Sequence, residues 1–250
     1  MIKKILKYSL KFLAIAIGVI SLYLVNLFLM KPISIDHYLG KELALELIDS
    51  PEALTYLGIF DRFNWITKHN SRLSIPEEDD LENDIKEIEK VIKTLYKYKD
   101  SSLSDIQKNT KEIAIFDLEN NLRELKEFPY HDYPLNQIGG THLNIIEFMN
   151  SMHPIREYSE AKDFISRVDL IKDVYEGTLK DLEKQAAIGI FPPEFVFDHV
   201  ITQLNEFINY SHSEHPLYTE FMKKVKELDL SVEEESYLDS EIKRAIDESV

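Results

Sequence analysis

The chain has 250 residues, 44% of them hydrophobic, with 29 basic against 45 acidic side chains and a net charge of −16. That length and apolar content allow one large or two small domains with a real core and argue against disorder. The acidic balance argues against nucleic acid as a partner, because phosphate binding needs clustered Lys and Arg; the absence of cysteine excludes disulfides, thiol chemistry and a lipid-modified Cys.

Only 7 Gly and 9 Pro, with long Leu/Ile/Lys/Glu-rich stretches at helical period, predict an all-α protein. Its expected architecture is an N-terminal transmembrane helix within residues 1–35 and an irregular multi-helix bundle over residues 36–250, with one short extended or irregular segment near 128–140. The first 35 residues hold Lys3, Lys4, Lys7, Lys11 and Lys31 and no acid, and the 19 residues that Phe12 opens and Met30 closes carry no formal charge. Such a stretch is long enough to cross a bilayer. We read it as an uncleaved signal anchor in a single pass, with the basic flank cytoplasmic and the bulk of the chain extracytoplasmic. The alternative is a signal peptide cut near Val19 and Ser21, which would leave an apolar run at the new terminus. Beyond the first 35 residues, 24 basic side chains face 45 acidic ones. An acidic exported domain suits cationic substrates or divalent ions, or serves solubility alone.

Residues 38–49 read as a first helix of the bundle, and Ser50-Pro51-Glu52 opens a second with an N-cap, a Pro at N1 and an acid in the first turn, closed by Gly58. From Pro76, the acids Glu77, Glu78, Asp79 and Asp80 and the later Lys90, Lys93, Lys97 and Lys99 complement a helix dipole. The seam Leu81, Ile85, Ile88, Ile92 and Leu95 predicts packing along a partner that Ser104 and Gln107 cap and that carries Ile115, Leu118, Leu122 and Leu125. The two form an antiparallel hairpin joined near residues 100–102. Pro129, Pro134 and the Gly139-Gly140 pair interrupt the helical pattern. Helices resume over residues 143–152, then in one long helix capped by Ser159 that contains Gly177 and ends at Gly189, then over residues 194–210 after Pro192-Pro193. Gly177 inside a helix costs about 1 kcal/mol relative to Ala and points to a close packing contact. The last helix opens at a capping box, Ser231 with Glu234, and its stripe Leu238, Ile242, Ile246 and Val250 runs to the final residue without a stop signal. Either this stripe packs on its own domain or it docks a further C-terminal half.

No His-Glu-x-x-His, Gly-x-Ser-x-Gly, phosphate loop or dinucleotide fingerprint is present. His212 and His215 sit in a polar loop, a poor metal pair. His131, His142 and His153 flank the irregular segment, where converging in space is one reading and separate structural roles the other. Gly139-Gly140-Thr141-His142 either offers backbone groups to a peptide by strand addition or forms a tight turn. The sole Trp, Trp65, is expected in the core.

Ser50-Pro51-Glu52-Ala53-Leu54-Thr55-Tyr56-Leu57-Gly58, Tyr133-Pro134-Leu135-Asn136-Gln137 with Gly139, His153, and Gly189-Ile190-Phe191-Pro192-Pro193 with Gln203 together resemble the N-terminal half of the bacterial domain-of-unknown-function family 885. The resemblance covers about residues 36–250. It implies an exported, largely helical protein of the gluzincin zinc-peptidase type, roughly twice this length, whose His-Glu metal helix and Glu-Gly-Trp-Ala lie in the second half. This chain has no His-Glu dipeptide, and its Glu176-Gly177 is followed by Thr178. The expectation is therefore a cleft-covering, membrane-anchored portion that is not catalytic alone. Zinc is implied only with the missing half, and no catalytic or metal residue is assigned in this chain. Asn136, Gln137, Gly139, Gly140, His142 and His153 are the substrate-binding candidates, with a peptide as ligand. The alternative is a stand-alone, non-catalytic helical module that binds a peptide or another partner.

Overall fold

The structure, a computed structural model, describes residues 2–250, with side chains described from Lys7 onward; the side chains of Lys3 and Lys4 in the basic flank lie outside the described residues. In chain order the helices are α1 (Ile2–Leu29), α2 (Ile35–Asp49), α3 (Pro51–Leu57), α4 (Asn64–Thr67), α5 (Asp80–Leu95), α6 (Asp105–Glu127), α7 (Thr141–Ser151), α8 (Tyr158–Asp169), α9 (Ile171–Ala187), α10 (Glu194–Ile208), α11 (Pro216–Val225) and α12 (Val232–Ser249). No strand occurs among the described residues, so the fold is all-α and the segment near 128–140 is irregular rather than extended. Compactness divides the chain into Met1–Glu46 with Asp84–Lys126, and Leu47–Asn83 with Glu127–Val250, a different division from 1–35 and 36–250.

In the first unit, α1 is long and apolar enough from Lys7 to Leu29 to cross a membrane, and none of that stretch is buried. The Asn26 side chain shapes its end, donating to the Lys31 carbonyl at 3.2 Å and accepting from the Ile33 N–H at 3.1 Å. The helical hairpin is antiparallel as expected: Glu89 meets Lys126, Tyr96 meets Glu119, and the Tyr98 carbonyl accepts from Lys111, so the partner's number falls as the first rises. The Ser104–Gln107 capping box forms in both directions. Helix α5 starts at Asp80, whose carboxylate accepts from the Glu77 N–H, so Glu77 to Asp79 form a turn before the helix rather than its first turn. Ile35, Tyr38, Leu95, Tyr98 and Ile115 make a small core. The Tyr98 hydroxyl donates to the Pro32 carbonyl at 2.6 Å, fixing the chain that leaves α1.

The second unit holds a larger core, built by α7, α8, α9, α11 and α12 around Met149, Phe164, Val168, Ile171, Leu217, Phe221, Leu238 and Ile242. Ser50 caps α3 by accepting from Ala53 N–H, and Gly58 closes it at φ 62, where a left-handed backbone suits glycine. Several expectations change here. The long helix after Ser159 is two helices: Leu170 N–H bonds Arg167 O at 3.0 Å, which tightens the last turn of α8 and breaks the helix before α9. Ser159 is not a cap, because its hydroxyl bonds the Glu157 carboxylate. Helix α11 was not foreseen; His215 and Pro216 open it, with His215 Nδ1 accepting from Leu217 N–H. Trp65 is not core but 75% exposed.

The stripe of α12 packs within its own unit. Leu238, Ile242, Ala245 and Ile246 are buried and Val250 is half-buried in the unit's own core. Helix α12 packs chiefly on α8, and Arg244 clamps Asp169 at the end of α8 with two bonds of 3.0 and 3.1 Å. Packing on its own domain is the alternative the structure realises.

Candidate functional site

The irregular segment is organised by one side chain. Asn136 Oδ1 accepts from the N–H groups of Ile138 and Gly139 at 3.0 and 2.8 Å, and its carbonyl accepts from Gly140 N–H. Thr141 then donates both its N–H and its hydroxyl to the Pro134 carbonyl, and α7 starts. Gly140 has no room for a side chain, since a Cβ there would lie 2.6 Å from Asn136 N. The segment is therefore a tight turn whose N–H groups from Ile138 to Thr141 are all used, and peptide capture by strand addition has no free donors there.

The turn is fastened to α10. Gln203 donates its amide to the Gln137 carbonyl at 3.2 Å and accepts from His142 Nε2 at 3.0 Å. That direction places the proton of the His142 ring on Nε2, leaving its buried Nδ1 without a partner. Further along the chain, Gln185 on α9 donates to the Asp132 carbonyl, and the Tyr133 hydroxyl donates to Phe191 O in the Gly-Ile-Phe-Pro-Pro turn. Four of the six candidates, Asn136, Gln137, Gly139 and Gly140, thus belong to one turn, and His142 begins the groove beside it.

Between α7 and α10 lies a groove of about 440 Å³. Ile138, Leu143, Ile146, Leu204, Phe207 and Tyr210 give it apolar walls, with the His142–Gln203 pair at one side. Glu147 and Glu206 also line it; both are exposed and make no ion pair among the described residues. Sequence reasoning named His142 and quoted Gln203 but missed Glu147, Glu206, Phe207 and Tyr210. Their signal was faint: α10 is apolar on two faces, Val196 and Val200 buried and Phe197, Ile201 and Ile208 exposed.

His131 and His153 do not converge with His142 here. His131 is exposed and bonds Pro129 O. His153 is buried in a different environment, stacked edge-on against Phe164. Its Nδ1 accepts from Arg167 Nη1 at 2.8 Å and its Nε2 donates to Glu160 O at 3.1 Å. Burial, then the Arg167 and Lys224 charges, push its pKa down to about 3, so it is a neutral structural ring rather than part of the groove. His215 is buried against Phe207 and Tyr210, and burial lowers it to about 4, while His212 pairs with Asp247 in solvent. No group of three or more His, Asp or Glu side chains is placed to hold a metal among the described residues.

In fold, the chain is similar to a solved structure described as the "putative lipoprotein from Colwellia psychrerythraea", with a TM-score of 0.67 over 82% of this chain at 18% identity. The chain spans 37% of that neighbour's length, and at this identity the likeness concerns fold alone. Comparison with curated proteins finds no match. The model of the family described as "Bacterial protein of unknown function (DUF885)" matches residues 51–250, so the chain belongs to the DUF885 family.

Proposed function

We propose that the chain is a membrane-anchored, extracytoplasmic helical module that holds a peptide in the groove between α7 and α10 and contributes binding rather than hydrolysis. The groove itself carries this reading: apolar walls with two unpaired carboxylates favour a segment with a bulky apolar side chain next to Lys or Arg. The test is peptide binding to the full chain in detergent micelles, comparing apolar–basic with apolar–acidic peptides. Glu147→Lys with Glu206→Lys should weaken the first class by roughly tenfold, about 1.4 kcal/mol, and reverse the preference. Equal affinity for both classes, or no binding, would reject the groove as the site.

Two settings for this module are distinguishable. Family membership over residues 51–250, and a structural neighbour of which the chain spans 37%, support a wall portion of a larger protein, which the resemblance makes zinc-peptidase-like with the metal in the remainder. The buried stripe of α12 favours the stand-alone module, since that face needs no partner. Supplying a second half from a family relative should raise thermal stability and create zinc-dependent hydrolysis in the first setting, and change neither in the second.

A further inference from the structure

The segment from Tyr56 to Lys68 in the larger unit exposes six large apolar side chains: Tyr56, Leu57, Ile59, Phe63, Trp65 and Ile66. So dense a run on a water-facing surface marks an interaction site. Its backbone is not loosely held. Asn64 donates to Asp163 at 2.8 Å and accepts from Asn70 N–H at 3.1 Å, Asp61 pairs with Arg156 at 2.8 Å, and the His69 carbonyl accepts from Arg167 at 2.8 Å. The polar groups of the segment are fastened inward while the apolar ones are presented outward. Its acid, Asp61, is used in that fastening, whereas the cations Arg62 and Lys68 are exposed and make no ion pair among the described residues. In a chain of net charge −16 these are two cations that no carboxylate in contact neutralises among the described residues.

Aromatic rings with exposed polar edges beside free cations are the chemistry that settles at an anionic lipid headgroup layer. We propose that this segment docks on the extracytoplasmic surface of the membrane that α1 spans, giving the protein a second membrane contact. The proposal rests on the anchor reading of α1. Residues 31–55 connect the two; with α2 about 22 Å long and α3 about 10 Å, the segment stays within roughly 60 Å of the bilayer. A tether of that reach keeps the local lipid concentration high, so modest affinity suffices.

Trp65 is the sole Trp and reports the docking without labelling. The full chain is reconstituted into vesicles of phosphatidylcholine and phosphatidylglycerol in a three-to-one mixture, with or without brominated acyl chains, and separated by flotation. We expect vesicle-bound protein whose Trp65 emission lies at short wavelength, is quenched by brominated lipid and is shielded from aqueous iodide. Arg62→Gln with Lys68→Gln should lower the docked-to-undocked ratio roughly thirtyfold, with helical circular dichroism unchanged. Floating protein whose Trp65 is quenched by iodide and not by brominated lipid overturns the docking while leaving the anchor intact. Emission at short wavelength that neither quencher reaches means that protein, such as a second copy, covers the patch, and also overturns it. Chains that do not float refute the anchor reading and the docking with it.

Discussion

Arg167 is fully buried without a carboxylate in contact, and the local structure around it is built to satisfy its donors. The guanidinium donates to Arg72 O, His69 O, the Thr55 hydroxyl and His153 Nδ1, and lies 4.8 Å from the Phe148 ring centre. Burial lowers its pKa to about 10, which still leaves it charged at neutral pH. That charge and the buried site hold His153 neutral, with a pKa of about 3 against 6.5 when unfolded. Between those values the unfolded chain binds a proton that the folded chain refuses, so stability falls as pH drops from about 6.5 toward 3. His215, lowered to about 4 by burial, adds to the same slope, while Asp163, raised by burial, opposes it near the ordinary carboxylate range. Thermal melts across this window should show a steeper acid loss in the wild type than in His153→Gln, by up to about 1.4 kcal/mol per pH unit. Equal slopes would mean that His153 titrates freely. The resemblance singled out His153, which follows α7, but its partner Arg167 lies on α8, and only packing reveals which of the two roles a buried histidine has.

At the scale of elements, most helices are visible from period and caps; the exceptions are Ser159, which does not cap, α11, whose Pro216 at N1 is a signal left unused, and a backbone break with no side-chain mark. Ser50 with Gly58, Ser104 with Gln107 and Ser231 with Glu234 all cap as their residue types predict. Leu170 carries no such mark, and the split between α8 and α9 went unseen. Gly177 inside α9 predicts a close contact, and a Cβ there would lie 2.6 Å from Pro76 O. Helix propensity alone favours Gly177→Ala by about 1 kcal/mol. Because the obstructing atom is backbone, the variant should instead lose stability in urea unfolding; a gain would show that the Pro76 turn yields easily.

For the whole molecule, the two compact units differ in what holds them. Five buried side chains form the core of the smaller unit and eighteen that of the larger. Hydrogen exchange of the full chain in micelles should therefore show amides of α6 opening faster than those of α8 and α12, since local stability follows buried apolar contact. Uniform protection would indicate a single cooperative unit.

By itself, the sequence determined the helical class, the apolar N-terminal helix, the hairpin and the break in the helical pattern near residues 128–140, because period, caps and turn chemistry act within a few residues of one another. Tertiary structure alone decided three things: that the α12 stripe closes on α8, that Trp65 faces outward, and that Glu147 and Glu206 line one groove with His142 and Gln203. An apolar stripe states only that it must be covered, and a carboxylate only that it is charged. What covers the one and what stands beside the other depend on residues distant in sequence, whose meeting is set by how helices pack.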